Sequence, residues 1–176
     1  MRALISIAFL AAASASAYAQ SSEATAPEEV VIEGVGLSRN VPCEGLDIGI
    51  YGAGNTIELT GDCGTVVVHG DGHTVSIEKA AAVTVSGIGH TVNADSLAAL
   101  AIETTENVVT ATMVSDAALA KVSVYGADQV ANLTLASETA IDVGGTGQTI
   151  NWELAEGAPE PRIDMGGIDN AVNRIN

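Results

Sequence analysis

Residues 70–75 read GDGHTV, and seventeen residues further on, at 87–92, the chain reads GIGHTV. This is one turn written twice. With the polar residue after the glycines as position zero, the match extends to Asn55, His73, His90, Asn107, Gln129, Gln148 and Asn170, at intervals of 18, 17, 17, 22, 19 and 22 residues. At offsets −7, −5, +2 and +4 from these positions, 27 of 28 residues are hydrophobic, where composition alone would place about 13. Offsets that differ by two are the period of a strand with one buried face. Each repeat therefore reads strand, tight corner, strand. Gly stands at both −3 and −1 in four copies, as in Gly52 with Gly54 and Gly145 with Gly147, where the corner needs backbone angles that a residue without Cβ adopts at least cost.

Two architectures can use such a unit. The near-constant spacing favours an all-β, single-domain β-solenoid of about seven short coils; the alternative is an antiparallel β-meander. Stacked coils place equivalent side chains about 4.8 Å apart. The polar series Asn, His, His, Asn, Gln, Gln, Asn then forms a ladder along one corner, passing side-chain hydrogen bonds from rung to rung. A hairpin array gives those residues no common line. Cys43 lies 12 residues before Asn55 and Cys63 lies 10 before His73, so a solenoid puts them on adjacent coils at nearly matching places. That separation suits a disulfide, which is favoured over two free thiols or a metal pair. Arg174 is the one polar residue among the 28, and it reads as a cap that discourages further strand addition. The stretch EGAPEPR, 156–162, reads as a loop before the last coil.

The first twenty residues, MRALISIAFLAAASASAYAQ, combine a basic start at Arg2, a short apolar run, and small residues Ala17 and Ala19. This is the layout of an export signal over residues 1–19, cleaved between Ala19 and Gln20. Its apolar run falls short of the roughly 20 residues a membrane span needs, so no membrane insertion is expected. Residues 20–30, which include SSEATAPEE, read as a flexible linker, and 31–176 as the repeat domain, exported to the periplasm or the medium. Loss of Arg2 takes the net charge from −16 to −17. Such a field repels phosphate backbones, which argues against nucleic acid, and favours cations or basic envelope and protein partners. Beyond the signal the rings are Tyr51, Tyr125 and Trp152, so the core must be stacked Val, Ile, Leu and Ala.

With Cys43, GAGNTIELTGDC (52–63) and VVVHGDGHTVSI (66–77) in view, the chain resembles the bacterial domain-of-unknown-function family 3060. The resemblance implies an exported domain with repeated G-x-G-N-T-V turns, a Cys pair bracketing the first repeat, and a late Trp in an NW strand, here Asn151-Trp152. It spans roughly residues 31–176 and is most specific in the early repeats. The repeats centred on Asn107 and Gln129 depart from it, with Glu106 and Asp128 in place of the second glycine, so their corners need not share the geometry. The family implies fold and export and brings no activity.

Motifs for chemistry are sparse. GAGNTI has no third glycine and no helical pattern after it, so it fails as a dinucleotide fingerprint, and no phosphate loop, nucleophile elbow or H-E-x-x-H is present. His73 and His90, with His69 nearby in sequence, are candidates for a Zn²⁺ or Cu²⁺ site, against the simpler view that His replaces Asn and Gln in the ladder. Glu78 and Asp95 share offset +5 on neighbouring coils, with Glu58 close by, and are candidates for Ca²⁺. No cofactor and no catalysis are expected. The expected function is that of an exported, non-enzymatic structural or binding module. The alternatives are a surface fibre or functional amyloid subunit, and a Ca²⁺- or Zn²⁺-dependent envelope binding protein.

Overall fold

A computed structural model describes residues 29–116 and 119–175. The expected signal, its cleavage position at Ala19 and Gln20, and the linker up to residue 28 lie outside the described residues. The first strand starts at Glu29, so residues 29 and 30, assigned above to the linker, belong to the repeat domain.

Among the described residues there are thirteen strands and no helix. In chain order they are β1 (Glu29–Val35), β2 (Ser38–Pro42), β3 (Asp47–Ala53), β4 (Thr56–Asp71), β5 (Thr74–Ile88), β6 (Thr91–Ile102), β7 (Val108–Met113), β8 (Ala120–Val124), β9 (Val130–Leu135), β10 (Thr139–Val143), β11 (Thr149–Leu154), β12 (Arg162–Met165) and β13 (Ala171–Arg174). Every pairing between them is parallel, which rules out the antiparallel meander. The chain is a β-solenoid with two stacks. The first stack holds the strands that enter each glycine corner: β1, β3, the second halves of β4, β5 and β6, then β8, β10 and β12. The second holds the strands that leave it: β2, the first halves of β4, β5 and β6, then β7, β9, β11 and β13.

Each stack has eight strands, so the solenoid has about eight coils where the polar turns indicated seven. The additional coil is the first. Its corner is Gly34-Val35-Gly36, and its position zero is Leu37, 18 residues before Asn55. β2 pairs with β4 in the register of every other coil, Ser38 against Thr56.

The four inward offsets become four columns running the length of the domain. Column −5 is Ile32, Ile50, Val68, Val85, Ile102, Val124 and Val143, all buried. β-Branched side chains suit this place, because they are stiff at χ1 and stack on their in-register copies. A fifth apolar column lines the second corner, where Cys43, Cys63, Ala80, Leu97, Met113 and Leu135 are all buried. Its sizes offset those of column +4 within a coil: Leu59 goes with Cys63, Ile77 with Ala80, Ala94 with Leu97 and Ala111 with Met113. The Gln129 coil departs from this, with Leu133 and Leu135 both large and the small Ala131 at offset +2. The disulfide Cys43–Cys63 takes the first two places in that column, with Cα atoms 4.8 Å apart, the spacing of adjacent coils.

Variation in coil length is confined to the second corner. The additional residue in the 18-residue interval after Asn55 is taken up by a register shift between Leu59 and Asp62, where Gly61 donates its N–H to Glu78. Both 22-residue intervals carry their surplus between β7 and β8 or between β11 and β12. The glycine corner holds glycine at offset −3 in seven of its eight coils for a steric reason, and the Asn107 coil departs from this with Thr104 there, at a φ of +77° and with its hydroxyl accepting the Gly87 N–H. A Cβ on Gly70, at offset −3, would lie 2.1 Å from the Gly52 carbonyl oxygen of the preceding coil. At offset −1, Gly72 has a φ of +63° and open space around it. Glu106, Asp128 and Asp169 occupy that offset in other coils with φ of 55–58°, so the corners at Asn107 and Gln129 are retained without the second glycine.

Two stability outcomes are expected. Gly70→Ala should cost about 3 kcal/mol through the clash with the neighbouring coil, and Gly72→Asn about 1 kcal/mol or less, measured by urea unfolding. Equal effects would refute the steric account. Replacing both Cys43 and Cys63 with Ser should cost about 3 kcal/mol by the loop-closure estimate, with hydrogen exchange rising first in the Leu37 and Asn55 coils.

Candidate functional site

The seven polar corner residues do form one line, and its chemistry is more specific than a chain of side chains bonded to one another. Each side chain accepts a hydrogen bond from the backbone N–H of the corner residue one coil earlier. Leu37 N donates to Asn55 Oδ1, Asn55 N to His73 Nδ1, His73 N to His90 Nδ1, and His90 N to Asn107 Oδ1. Asn107 N then donates to Gln129 Oε1, Gln129 N to Gln148 Oε1, and Gln148 N to Asn170 Oδ1, all seven at 2.8–3.1 Å. The other polar atom of the side chain donates to the carbonyl four residues back in its own coil. Asn55 Nδ2 reaches Tyr51 O at 3.0 Å, His73 Nε2 reaches His69 O at 3.2 Å, and His90 Nε2 reaches Ser86 O at 3.0 Å. Asn107 and Gln129 repeat this on Glu103 and Tyr125.

Only a side chain with one acceptor and one donor set apart at a wide angle can serve both bonds. Asn, Gln and neutral His are the residues that offer this, which explains the restricted alphabet of position zero. The tautomer of both imidazoles follows. A backbone N–H can only donate and a carbonyl can only accept, so Nδ1 carries the lone pair and Nε2 the proton. Asn55, His73, His90, Asn107, Gln129 and Gln148 are all buried, and the two rings stack with centroids 5.0 Å apart and planes 5° from parallel. Gln148 fits least well: its Nε2 is buried with no hydrogen-bond partner among the described residues.

The metal candidates are placed as follows. His73 and His90 have every ring nitrogen engaged, so coordination would require breaking a bond to the backbone of a buried corner. His69 points outward, bonded to Ser86 Oγ at 2.9 Å and edge-on to Tyr51, and so does not share a site with them. Glu78 and Asp95 are exposed neighbours on β5 and β6. Glu78 accepts the Gly61 N–H, and Glu58 accepts Asn40 Nδ2 at 2.9 Å. Among the described residues, no group of three or more His, Cys, Asp or Glu is arranged to hold a metal ion.

Glu58, Glu78 and Asp95 do lie together in a shallow trough of about 350 Å³ on the outer face of the second stack, with Thr60, Ser76 and Asn93. A second depression of the same size adjoins it through Glu58 and Ser76 and continues to Ser38, Arg39 and Asn40. Further along the same face, Asn151 Nδ2 donates to Asn132 Oδ1 and Asn173 Nδ2 to Asn151 Oδ1, a short outer ladder at offset +3. At the last coil, Arg174 lies over Trp152, its guanidinium 5.1 Å from the ring centre, and pairs with Glu160 at 2.7 Å.

The fold and the ladder define a parallel β-solenoid with a donor–acceptor corner code. The family described as "Protein of unknown function (DUF3060)" matches residues 50–96, from β3 into β6, which takes in the corners of Asn55, His73 and His90. The resemblance read from those turns therefore holds over that segment. No curated protein and no solved structure matches the chain.

The ladder makes stability depend on pH. Burial holds the His90 pKa below its ordinary value of 6.5, reinforced by the charge that His73 would carry and opposed by the bond to Ser86 O and by Asp71. A depressed pKa means that the folded state binds fewer protons than the unfolded one. Stability is therefore full above pH 6.5 and is lost as pH falls through the lowered value. Tm should drop by about 2 °C or more between pH 7.5 and pH 5 in the native protein, and this dependence should flatten in His90→Asn, which keeps both ladder bonds. Identical slopes for the two proteins would remove His90 as the titrating group.

Proposed function

We propose that the protein is an exported, non-enzymatic binding module whose second stack offers an acidic outer face to a basic partner in the cell envelope. The observation that supports this is the trough, where Glu58, Glu78 and Asp95 stand on three successive coils beside Ser76 and Asn93, on a chain of net charge −16. The interior leaves little for another role: the apolar columns are buried in the central coils, and there the ladder engages its polar atoms within the corner, apart from Gln148 Nε2. A flat, rigid grid of carboxylates, amides and hydroxyls suits Lys- or Arg-bearing chains, which need opposite charge at regular spacing and no deep cleft. Export is supported by the signal pattern of residues 1–19 and by a disulfide in the folded domain, since such bridges persist in oxidising compartments.

Head-to-tail polymerisation is disfavoured by the chemistry of the two ends. Continuing the ladder beyond Asn170 needs a side-chain acceptor, and the first corner of another copy would bring Leu37. Arg174, held by Trp152 and Glu160, adds a charged residue at that edge.

Fluorescence anisotropy with a labelled oligolysine probe tests the binding face. The native protein should bind the probe in a salt-sensitive manner, and the triple variant Glu58→Gln, Glu78→Gln, Asp95→Asn should lose at least about tenfold in affinity with its melting temperature unchanged. Undiminished binding by the triple variant would move the partner site elsewhere.

A further inference from the structure

Beyond residue 28 the chain has three Phe, Tyr or Trp rings, and the fold uses them unequally. Trp152 belongs to the core and is 6% exposed. Tyr51 and Tyr125 instead stand on the outer face of the first stack, both at offset −4 and four coils apart, which is about 19 Å along the axis at about 4.8 Å per coil. Both rings are seated in the same way. Gly49 and Gly144 have no positive φ, so the backbone does not require glycine at either place. The rings do: a Cβ on Gly49 would lie 2.5 Å from a Tyr51 ring carbon, and a Cβ on Gly144 would lie 2.6 Å from a Tyr125 ring carbon. Both glycines are buried at outward offsets, because a tyrosine lies across each. Each hydroxyl is aimed at a carboxylate, Tyr51 at Glu29 Oε1 3.5 Å away and Tyr125 donating to Asp142 Oδ2 at 2.6 Å. A glycine within a sheet forgoes packing and marks the close approach of another group. Ring, glycine seat and carboxylate occur together twice, and the fold does not demand them, since His69, Ser86 and Glu103 hold the same offset in the coils between.

The strip between the rings is flat. Offset −6 carries the short side chains Val67, Thr84 and Ala101 there, beside His69, Ser86 and Glu103 at offset −4. Its charge is of one sign, with Glu29, Glu33, Glu103, Asp142 and Asp164 all exposed on this face. A ligand for such a strip must be extended along the axis, offer flat apolar faces to the rings, and bring hydrogen-bond donors and positive charge. A peptide held by its main chain is not matched, because the strands of these coils have a neighbour on both sides and leave no sheet edge for it to join. A sugar chain needs no such edge. The C–H face of a pyranose lies flat on the apolar body of a tyrosine, while its polar groups reach the hydroxyl, imidazole and carboxylate side chains alongside. The carboxylates repel anionic glycans and favour one that carries amino groups.

We infer that the outer face of the first stack binds an amino-sugar glycan laid along the solenoid axis, with its sugar rings on Tyr51 and Tyr125 and its ammonium groups met by Glu29, Glu103 and Asp142. This surface belongs to the other stack from the trough of Glu58, Glu78 and Asp95 and does not rest on it.

Calorimetric titration with an oligomer of β-1,4-linked glucosamine, its amines charged, tests this. The native protein should bind it, and should bind the fully N-acetylated oligomer at least about tenfold more weakly. Tyr51→Ala and Tyr125→Ala should each weaken glucosamine binding by at least about tenfold and leave the oligolysine affinity of the trough unchanged. The trough variant Glu58→Gln, Glu78→Gln, Asp95→Asn should keep its tyrosine-dependent glucosamine binding. Circular dichroism melts show whether each variant keeps the fold. Glu103→Gln, which changes only an exposed side chain between the rings, should weaken binding by about threefold or more at an unchanged melting temperature, so the test stands even where a tyrosine variant unfolds. Absence of binding by the native protein, equal affinity for the acetylated oligomer, or folded tyrosine variants that bind as the native protein does would each overturn the inference. So would tyrosine variants that lose oligolysine to the same extent, which would make this face a site for a basic peptide.

Discussion

A buried backbone N–H must find an acceptor, and this need organises the glycine corner. The tight turn removes the N–H of position zero from water and points it along the solenoid axis towards the next coil, where no carbonyl is in place for it. The side chain one coil later meets that need, and its second polar atom must in turn be satisfied by its own coil. Position zero is therefore limited to residues that carry one acceptor and one donor. The rest follows from that choice. Equivalent corners must stack without drift, so strands stay parallel and in register, and so the inward offsets line up as columns. A core of Val, Ile, Leu and Ala is sufficient because every layer is nearly the same as the one beneath it.

The two corners divide the work of the fold. The glycine corner admits little change, because a Cβ on Gly52, Gly70, Gly87, Gly126, Gly145 or Gly167 would lie 2.0–2.2 Å from a carbonyl oxygen of the neighbouring coil; Thr104, at a φ of +77°, is the departure at this offset. The second corner has no polar line to keep in step. It takes up the bulge at Gly61 and both long intervals, and it hosts the disulfide in a column otherwise filled by Ala, Leu and Met.

Much of this is legible in the sequence because the strand period is short and the layers repeat. Ile50, Val68 and Val85 stand five residues before Asn55, His73 and His90, and that regularity is enough to infer stacked coils and a bridge between Cys43 and Cys63. Leu37 escapes any search for a polar residue at position zero, although the spacing of Gly34 and Gly36 carries the signal. The place of His73 and His90 on the ladder is visible, whereas the engagement of all their ring nitrogens is not, since it depends on where the backbone carbonyls of His69 and Ser86 point. Nor can the corners at Glu106 and Asp128 be settled without φ angles, because short polar or flexible side chains tolerate the left-handed region only when nothing crowds their Cβ. The trough needs three dimensions for a related reason: Glu58 sits at +3 and Glu78 and Asp95 at +5, so no single offset joins them, yet they line one patch.

The ladder also has a direction, because every N–H in it is satisfied by a residue that comes later in the chain. Take away the last coil, and Gln148 is left with an unmet donor; take away the first, and Asn55 is left only with a spare acceptor, which is the milder loss. Growth and shortening of such a domain are therefore not symmetric in time or in evolution. Each coil is completed by the one delivered after it, so a chain that emerges from its N-terminus always carries one unfinished rung at its most recently made end, and a repeat placed before Leu37 would find no acceptor there unless Leu37 itself became polar.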